Sequence, residues 1–163
     1  SLRGNAQADS VLQGVPAARQ GLMMEAMTAH EIGHCQRYAQ GDWHALPRGF
    51  IEPLGTQRGK LTPLAQELRE TRREEAYADL VALAWMHARH PGQYPDVLAW
   101  MRGVRAAGEA AGGGAGRDAG GSHATQAWLA LADGDGAFNG ADGAASPFEQ
   151  AQVLWRKGLS GDK

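Results

Sequence analysis

Met23-Met24-Glu25-Ala26-Met27-Thr28-Ala29-His30-Glu31-Ile32-Gly33-His34 lies in a stretch that opens at Pro16 and meets no further proline before Gly41. Proline suits a first helical turn and glycine the position just past a last one, so the spacing predicts a helix from Pro16 to about Gln40. On a helix, positions i and i+4 share one face a turn apart, so His30 and His34 can both aim a ring nitrogen at one ion. Glu31, beside the first histidine, is placed to meet a water on that ion rather than the ion itself. His-Glu-x-x-His therefore reads as a metal clamp with its own general base, the chemistry of a zinc hydrolase.

A catalytic zinc takes three protein ligands and keeps a fourth position open. Downstream, Arg73-Glu74-Glu75-Ala76-Tyr77-Ala78-Asp79-Leu80 falls in a second predicted helix, where Glu75 and Asp79 share a face at i, i+4 spacing. Glu75 is the expected third ligand, with Asp79 orienting a ligand histidine through the ring nitrogen that faces away from the metal. Glu74 competes with Glu75 but has Ala78, not an acid, one turn on. The same acids could equally belong to a solvated face, since Glu67, Arg69, Glu70, Arg72 and Arg73 precede them. However, Leu80-Val81-Ala82-Leu83-Ala84-Trp85 follows immediately, so this helix enters a core, where an unpaired carboxylate is costly.

His-Glu-x-x-His followed by Glu-x-x-x-Asp resembles the gluzincin metallopeptidases. Glu75-Ala-Tyr-Ala-Asp79 is similar to the Glu-Ala-x-x-Asp segment of thermolysin, and the chain is nearer in size to the minigluzincins related to the CAAX-prenyl and heat-shock membrane proteases. The resemblance spans residues 20 to 132 and implies a mainly α, zincin-like domain with at most a small β element. It also implies one Zn2+ per chain held by His30, His34 and Glu75, with Asp79 behind them and a peptide or protein as substrate. Ser122-His123-Ala124-Thr125 resembles the Ser/Thr-His-Pro segment that opens a late helix in such peptidases, with Ala124 in place of proline; it offers His123 as an oxyanion donor or simply a helix-start residue. A metzincin would place glycine where Arg37 stands and histidine where Gln40 stands, and an aspzincin would need an acid where Gly55-Thr56-Gln57-Arg58 ends.

Four more helices complete the predicted fold. Thr62-Pro63 caps and opens the second, which ends near His90; Pro95 opens a third, to about Ala107, with Val97, Leu98, Met101 and Val104 on one face. Ser122 or His123 precedes a fourth, ending near Ala132, and the capping box Ser146-Pro147-Phe148-Glu149 starts a fifth that runs to about Lys157. Between them, residues 41 to 61 have room for short strands near Phe50-Ile51-Glu52. Residues 108 to 121 hold seven glycines in fourteen positions and read as a flexible loop. The Asp/Gly-rich stretch 133 to 145 fails the calcium-loop template at Ala137, Phe138 and Ala144. His87 and His90 suit a helix C-terminus, Tyr38 shares the ligand face, and Cys35, the lone cysteine, reads as a small buried filler.

At 163 residues the chain supports one domain, taken as residues 1 to 163, and a net charge of −2 without a basic stripe argues against nucleic acid as the main partner. No apolar run reaches the roughly 20 residues a membrane span needs. The chain begins with Ser1, which fits an excised piece of an exported or anchored parent and leaves compartment and oligomeric state open. Zincin peptidases usually lay substrate on a small sheet upstream of the motif helix, where only about twenty residues, read as non-helical, stand here. Three functions therefore remain: a zinc-dependent peptidase, with endopeptidase action expected over exopeptidase but left open, a zinc-stabilised but inactive binding domain, and a metal-free helical interaction domain in which the motif is coincidental.

Overall fold

The structure, a computed structural model, describes residues 6–53, 61–111, 121–134, 136–138 and 145–162. Among the described residues, six α-helices run in the order α1 Ala6–Val11, α2 Ala17–Ala39, α3 Pro63–Arg89, α4 Tyr94–Ala111, α5 Gln126–Leu131 and α6 Pro147–Leu159, with a short 3-10 turn at Pro91–Gln93. No strand occurs among the described residues, so the room the sequence leaves for short strands near Phe50-Ile51-Glu52 is not used. The fold is mainly α.

The helix ends follow local chemistry. Gly41, at φ +72°, closes α2 with its N–H on Tyr38 O at 3.1 Å while Asp42 N–H reaches Arg37 O at 3.0 Å, the paired bonds of a Schellman stop. Thr62 caps α3 by accepting from Ala65 N–H, and Ser146 and Glu149 form the reciprocal capping box of α6. α4 begins at Tyr94 and runs on through Gly108 to Ala111, past the expected end at Ala107; the rest of the glycine-rich stretch, 112–120, lies outside the described residues. α5 is shorter than predicted. The segment Ala6–Val11, expected to be non-helical, forms α1, whose end is held by Trp100 Nε1–H on Val11 O at 3.0 Å. So short a helix draws its stability from such packing, which periodicity does not reveal.

α3 is the axis of the molecule. From Ala76 to Ala84 every residue is buried, because α2, α4, α5 and α6 all pack on it. Small residues allow the closest approach: a β-carbon on Gly33 would lie 3.1 Å from Ala78 Cα and 3.2 Å from Val81 Cβ. α6 lays Trp155 edge-on to Tyr77 and donates its indole N–H to Arg73 O at 2.7 Å, and Trp128 of α5 sits over Gly158 of α6.

The charged start of α3 is not a solvated face. Arg69, Arg72, Arg73 and Glu74 are all buried. Arg72 and Arg73 grip the Asp162 carboxylate at 2.7 and 2.8 Å, and Arg73 also reaches Glu52 at 2.9 Å. Glu74 takes both ends of the Arg37 fork, at 2.9 and 2.6 Å, and lies under the loop that follows α2. Buried charges persist only when paired in this way. Cys35 corrects another expectation: it is exposed, because α2 turns its 28-32-35 edge away from α3.

Candidate metal centre

α2 and α3 bring His30, His34 and Glu75 together, each partly buried, with one candidate ligand atom from each within 4.8 Å of the others. Gly33 makes this possible, since it lies between the two histidines and removes the side chain that would hold α2 away from α3. The ring Nε2 atoms of His30 and His34 are 3.0 Å apart, and Glu75 offers Oε2 at 3.6 Å from the first and Oε1 at 3.3 Å from the second. Glu74 points elsewhere, to Arg37, so the competition between the neighbouring glutamates is resolved by the face of α3 each occupies.

His30 Nδ1 lies 3.0 Å from Asp79 Oδ1. A carboxylate accepts, so Nδ1 carries the proton and Nε2 is left with a lone pair facing His34 and Glu75. Two imidazole nitrogens and a carboxylate oxygen converging on one point form a donor set that could share a cation, and two His with one Glu suit zinc. The residues present therefore fit a divalent ion.

Charge around the cluster is tightly arranged. Asp79 is fully enclosed and accepts from Arg105 Nε at 2.8 Å, from Arg105 Nη2 at 2.5 Å and from Thr125 Oγ1 at 2.7 Å. Burial opposes its ionisation, but Arg105 and then His30 outweigh that and hold its carboxyl below the ordinary value. Arg105 Nη2 also donates to Glu75 Oε2 at 2.9 Å. Burial again works against the charge on Glu75, yet hydrogen bonds from His123 and His34 and the nearby cations hold it well below the usual carboxylate range. Burial disfavours a charged His34 as well, but Glu75, with Glu31 and Asp79 behind it, raises its pKa above the ordinary 6.5. The carboxylate is therefore already ionised at neutral pH, whereas His34 must give up any proton it holds before its ring nitrogen can meet a cation.

His123 lies at the rim, about half exposed, with Nδ1 2.9 Å from Arg105 Nη1 and 3.2 Å from Glu75 Oε2. When the ring is neutral, Nδ1 accepts from Arg105 and the proton sits on Nε2; when it is protonated, Nδ1 donates to Glu75. Glu31 is exposed and lines the same cavity of about 770 Å³ as His30, His34, Glu75 and His123. Thr28, Asp79 and Arg105 also line it, and the rest of its wall is mostly apolar, with Met24, Met27, Trp100 and Val104 among the lining. His87 and His90 are not part of it. His87 packs against Tyr94, ring centroids 5.0 Å apart, and His90 Nε2 is 2.9 Å from Glu25.

Arg105, Thr125 and Trp43 belong to the site but carry no signal in the sequence. Arg105 lies 26 residues from Asp79 and Thr125 46. Only the packing of α4 and α5 on α3 brings them there. Thr125 closes the Ser122-His123-Ala124-Thr125 segment that singled out His123, which is the one hint available.

The fold and cluster together define a helical protein with a candidate His-His-Glu metal centre. No protein-family model, curated protein or solved structure matches the chain. The chemistry of the site follows from its own geometry.

Proposed function

We propose that the protein is a zinc-dependent endopeptidase of gluzincin type, in which His30, His34 and Glu75 hold the ion. The observation that carries this reading is the convergence of both Nε2 atoms and the Glu75 carboxylate, with Asp79 fixing the tautomer of His30. A bound zinc ion supplies a Lewis acid for the scissile carbonyl and lowers the pKa of water at its open position toward neutrality.

The chain's own residues then move protons and hold geometry. Glu31, at the cavity surface, takes a proton from the attacking water and delivers it to the leaving amine. His123, with its Nε2–H directed away from Arg105, donates to the oxygen that gains charge as the carbonyl becomes tetrahedral. Arg105 keeps Asp79 and Glu75 ionised and aligned. From Met24 to His34 the cavity follows α2 for about 15 Å, room for roughly four residues of extended peptide, which favours cleavage within a chain over trimming at its end. The apolar wall favours a large apolar side chain beside the scissile bond.

The lack of a strand among the described residues favours, as the second reading, a zinc-stabilised binding or regulatory domain on the same fold. Metal analysis and turnover separate the two. About one zinc per chain is expected in the wild type and in Glu31→Gln, and none in His30→Ala/His34→Ala, with hydrolysis of an unstructured protein substrate by the wild type alone. Zinc without hydrolysis supports the binding domain. No zinc after loading at neutral pH sinks both readings.

A further inference from the structure

The cluster lies between two apolar surfaces of different origin. Toward the start of α2 the cavity is walled by helix residues, Met24 and Met27 of α2 with Trp100 and Val104 of α4. Toward His34 it is lined by Trp43, which belongs to the loop after α2. The Trp43 ring is 5.6 Å from the His34 ring at 62°, edge to face, and stacks on His44 at 5.4 Å and 27°. Stacking on His44 covers one part of the indole, and the residue still remains 38% exposed at the cavity mouth.

The loop that presents Trp43 is held from below. His44 adopts φ 63°, a left-handed conformation uncommon for a residue with a β-carbon. Two hydrogen bonds and one close contact maintain it: His44 N–H donates to Glu74 Oε1 at 2.8 Å, Ala45 O accepts from Arg37 Nη2 at 2.7 Å, and His44 Nδ1 lies 3.3 Å from Glu70 Oε2. Both members of the buried Arg37–Glu74 pair thus bond to this one loop. A strained conformation persists only where its surroundings over-determine it. Here the result is an indole fixed beside a ligand histidine.

We propose that Trp43 is a specificity-determining platform, positioned by the Arg37–Glu74 pair, on which an aromatic side chain of a peptide stacks on the His34 side of the metal cluster. The proposal rests on the reading of the cluster as a peptide site. A flat, fixed aromatic surface loses little freedom on binding and favours a planar partner over a small aliphatic one.

The test uses zinc-loaded Glu31→Gln, which holds substrate without turning it over, and blocked alanine-rich hexapeptides with a single phenylalanine at successive positions. One position should bind about tenfold tighter than alanine does there. Trp43→Ala in the same background should reduce that preference to about threefold or less, Trp43→Phe should restore most of it, and Glu74→Gln should weaken it, all with zinc content unchanged. In the active protein the loss should appear in KM rather than kcat. A phenylalanine preference that survives Trp43→Ala, or the absence of any preference, overturns the platform. Preferential binding without cleavage by the wild type keeps the platform and removes the peptidase reading instead.

Discussion

A β-carbon placed on Gly33 would lie 3.1 Å from the Cα of Ala78, so α2 and α3 meet backbone to backbone between the two candidate ligand histidines. Gly33→Ala gains helix propensity of about 1 kcal/mol, but overpacking against a rigid neighbour costs about 1–3 kcal/mol. The net expectation is a small loss of stability with a larger loss of zinc affinity, because the displaced helix carries both histidines. Thermal unfolding with and without zinc, beside a competitive chelator titration, separates the two effects; unchanged affinity would show that α2 accommodates the methyl group without moving its ligands.

Asp79 accepts from His30, Arg105 and Thr125 while fully buried. Asp79→Asn keeps the shape but leaves Arg105 short of a counter-charge, for which about 3 kcal/mol of destabilisation is expected. It also replaces the acceptor-only carboxylate that fixes the His30 tautomer with a neutral amide able to donate as well as accept, for which an about 10- to 100-fold weaker zinc affinity is typical. Asp79→Asn with wild-type metal affinity would remove Asp79 from the site.

Zinc itself should stabilise the fold, since its ligands come from two helices and are aligned only when these are packed. At a hundredfold excess over Kd the gain is about 2.7 kcal/mol. The rise in Tm on adding zinc should vanish in Glu75→Ala but persist in Glu74→Gln, whose side chain faces Arg37. Melting curves over a zinc series check both variants, and a zinc response retained by Glu75→Ala would require a different third ligand.

Glu25 joins α2 to the end of α3 by accepting from Trp85, Arg89 and His90. Burial opposes its ionisation, but these bonds outweigh it and lower its pKa from 4.5. A carboxyl whose pKa is lower folded than unfolded adds stability above the unfolded value and loses it as pH falls through the folded one. Glu25→Gln should therefore be less stable than the wild type at neutral pH, with the gap closing below about pH 4. Urea midpoints across pH 3 to 7 test this; a gap that stays constant would mean the glutamate contributes no charge-dependent bonding.

Much of the helical framework was legible in the chain because it depends on local rules. Gly41 stops α2, Thr62-Pro63 starts α3 and Ser146 with Glu149 starts α6 through bonds reaching only a few residues along the chain. The spacing of His30 and His34, and of Glu75 and Asp79, likewise follows from the helical repeat, so their sharing of faces could be read directly. Local pattern was silent where stability comes from contact. α1 is held by Trp100, α4 continues through Gly108, and Cys35 turns outward because α3 packs on the other side of α2.

What tertiary structure alone decided is which carboxylates meet which cations. Arg69, Arg72, Arg73 and Glu74 read as well as surface charges as buried ones until Asp162 and Arg37 are placed beside them. Arg105 and Trp43 join the site from far along the chain or from a loop held by a buried ion pair, with no periodicity to mark them. The sequence determined the residue types and their helical faces, since backbone geometry sets these within one or two turns. The meeting of α2 and α3 at Gly33, and with it the candidate metal centre, is a property of packing between distant segments.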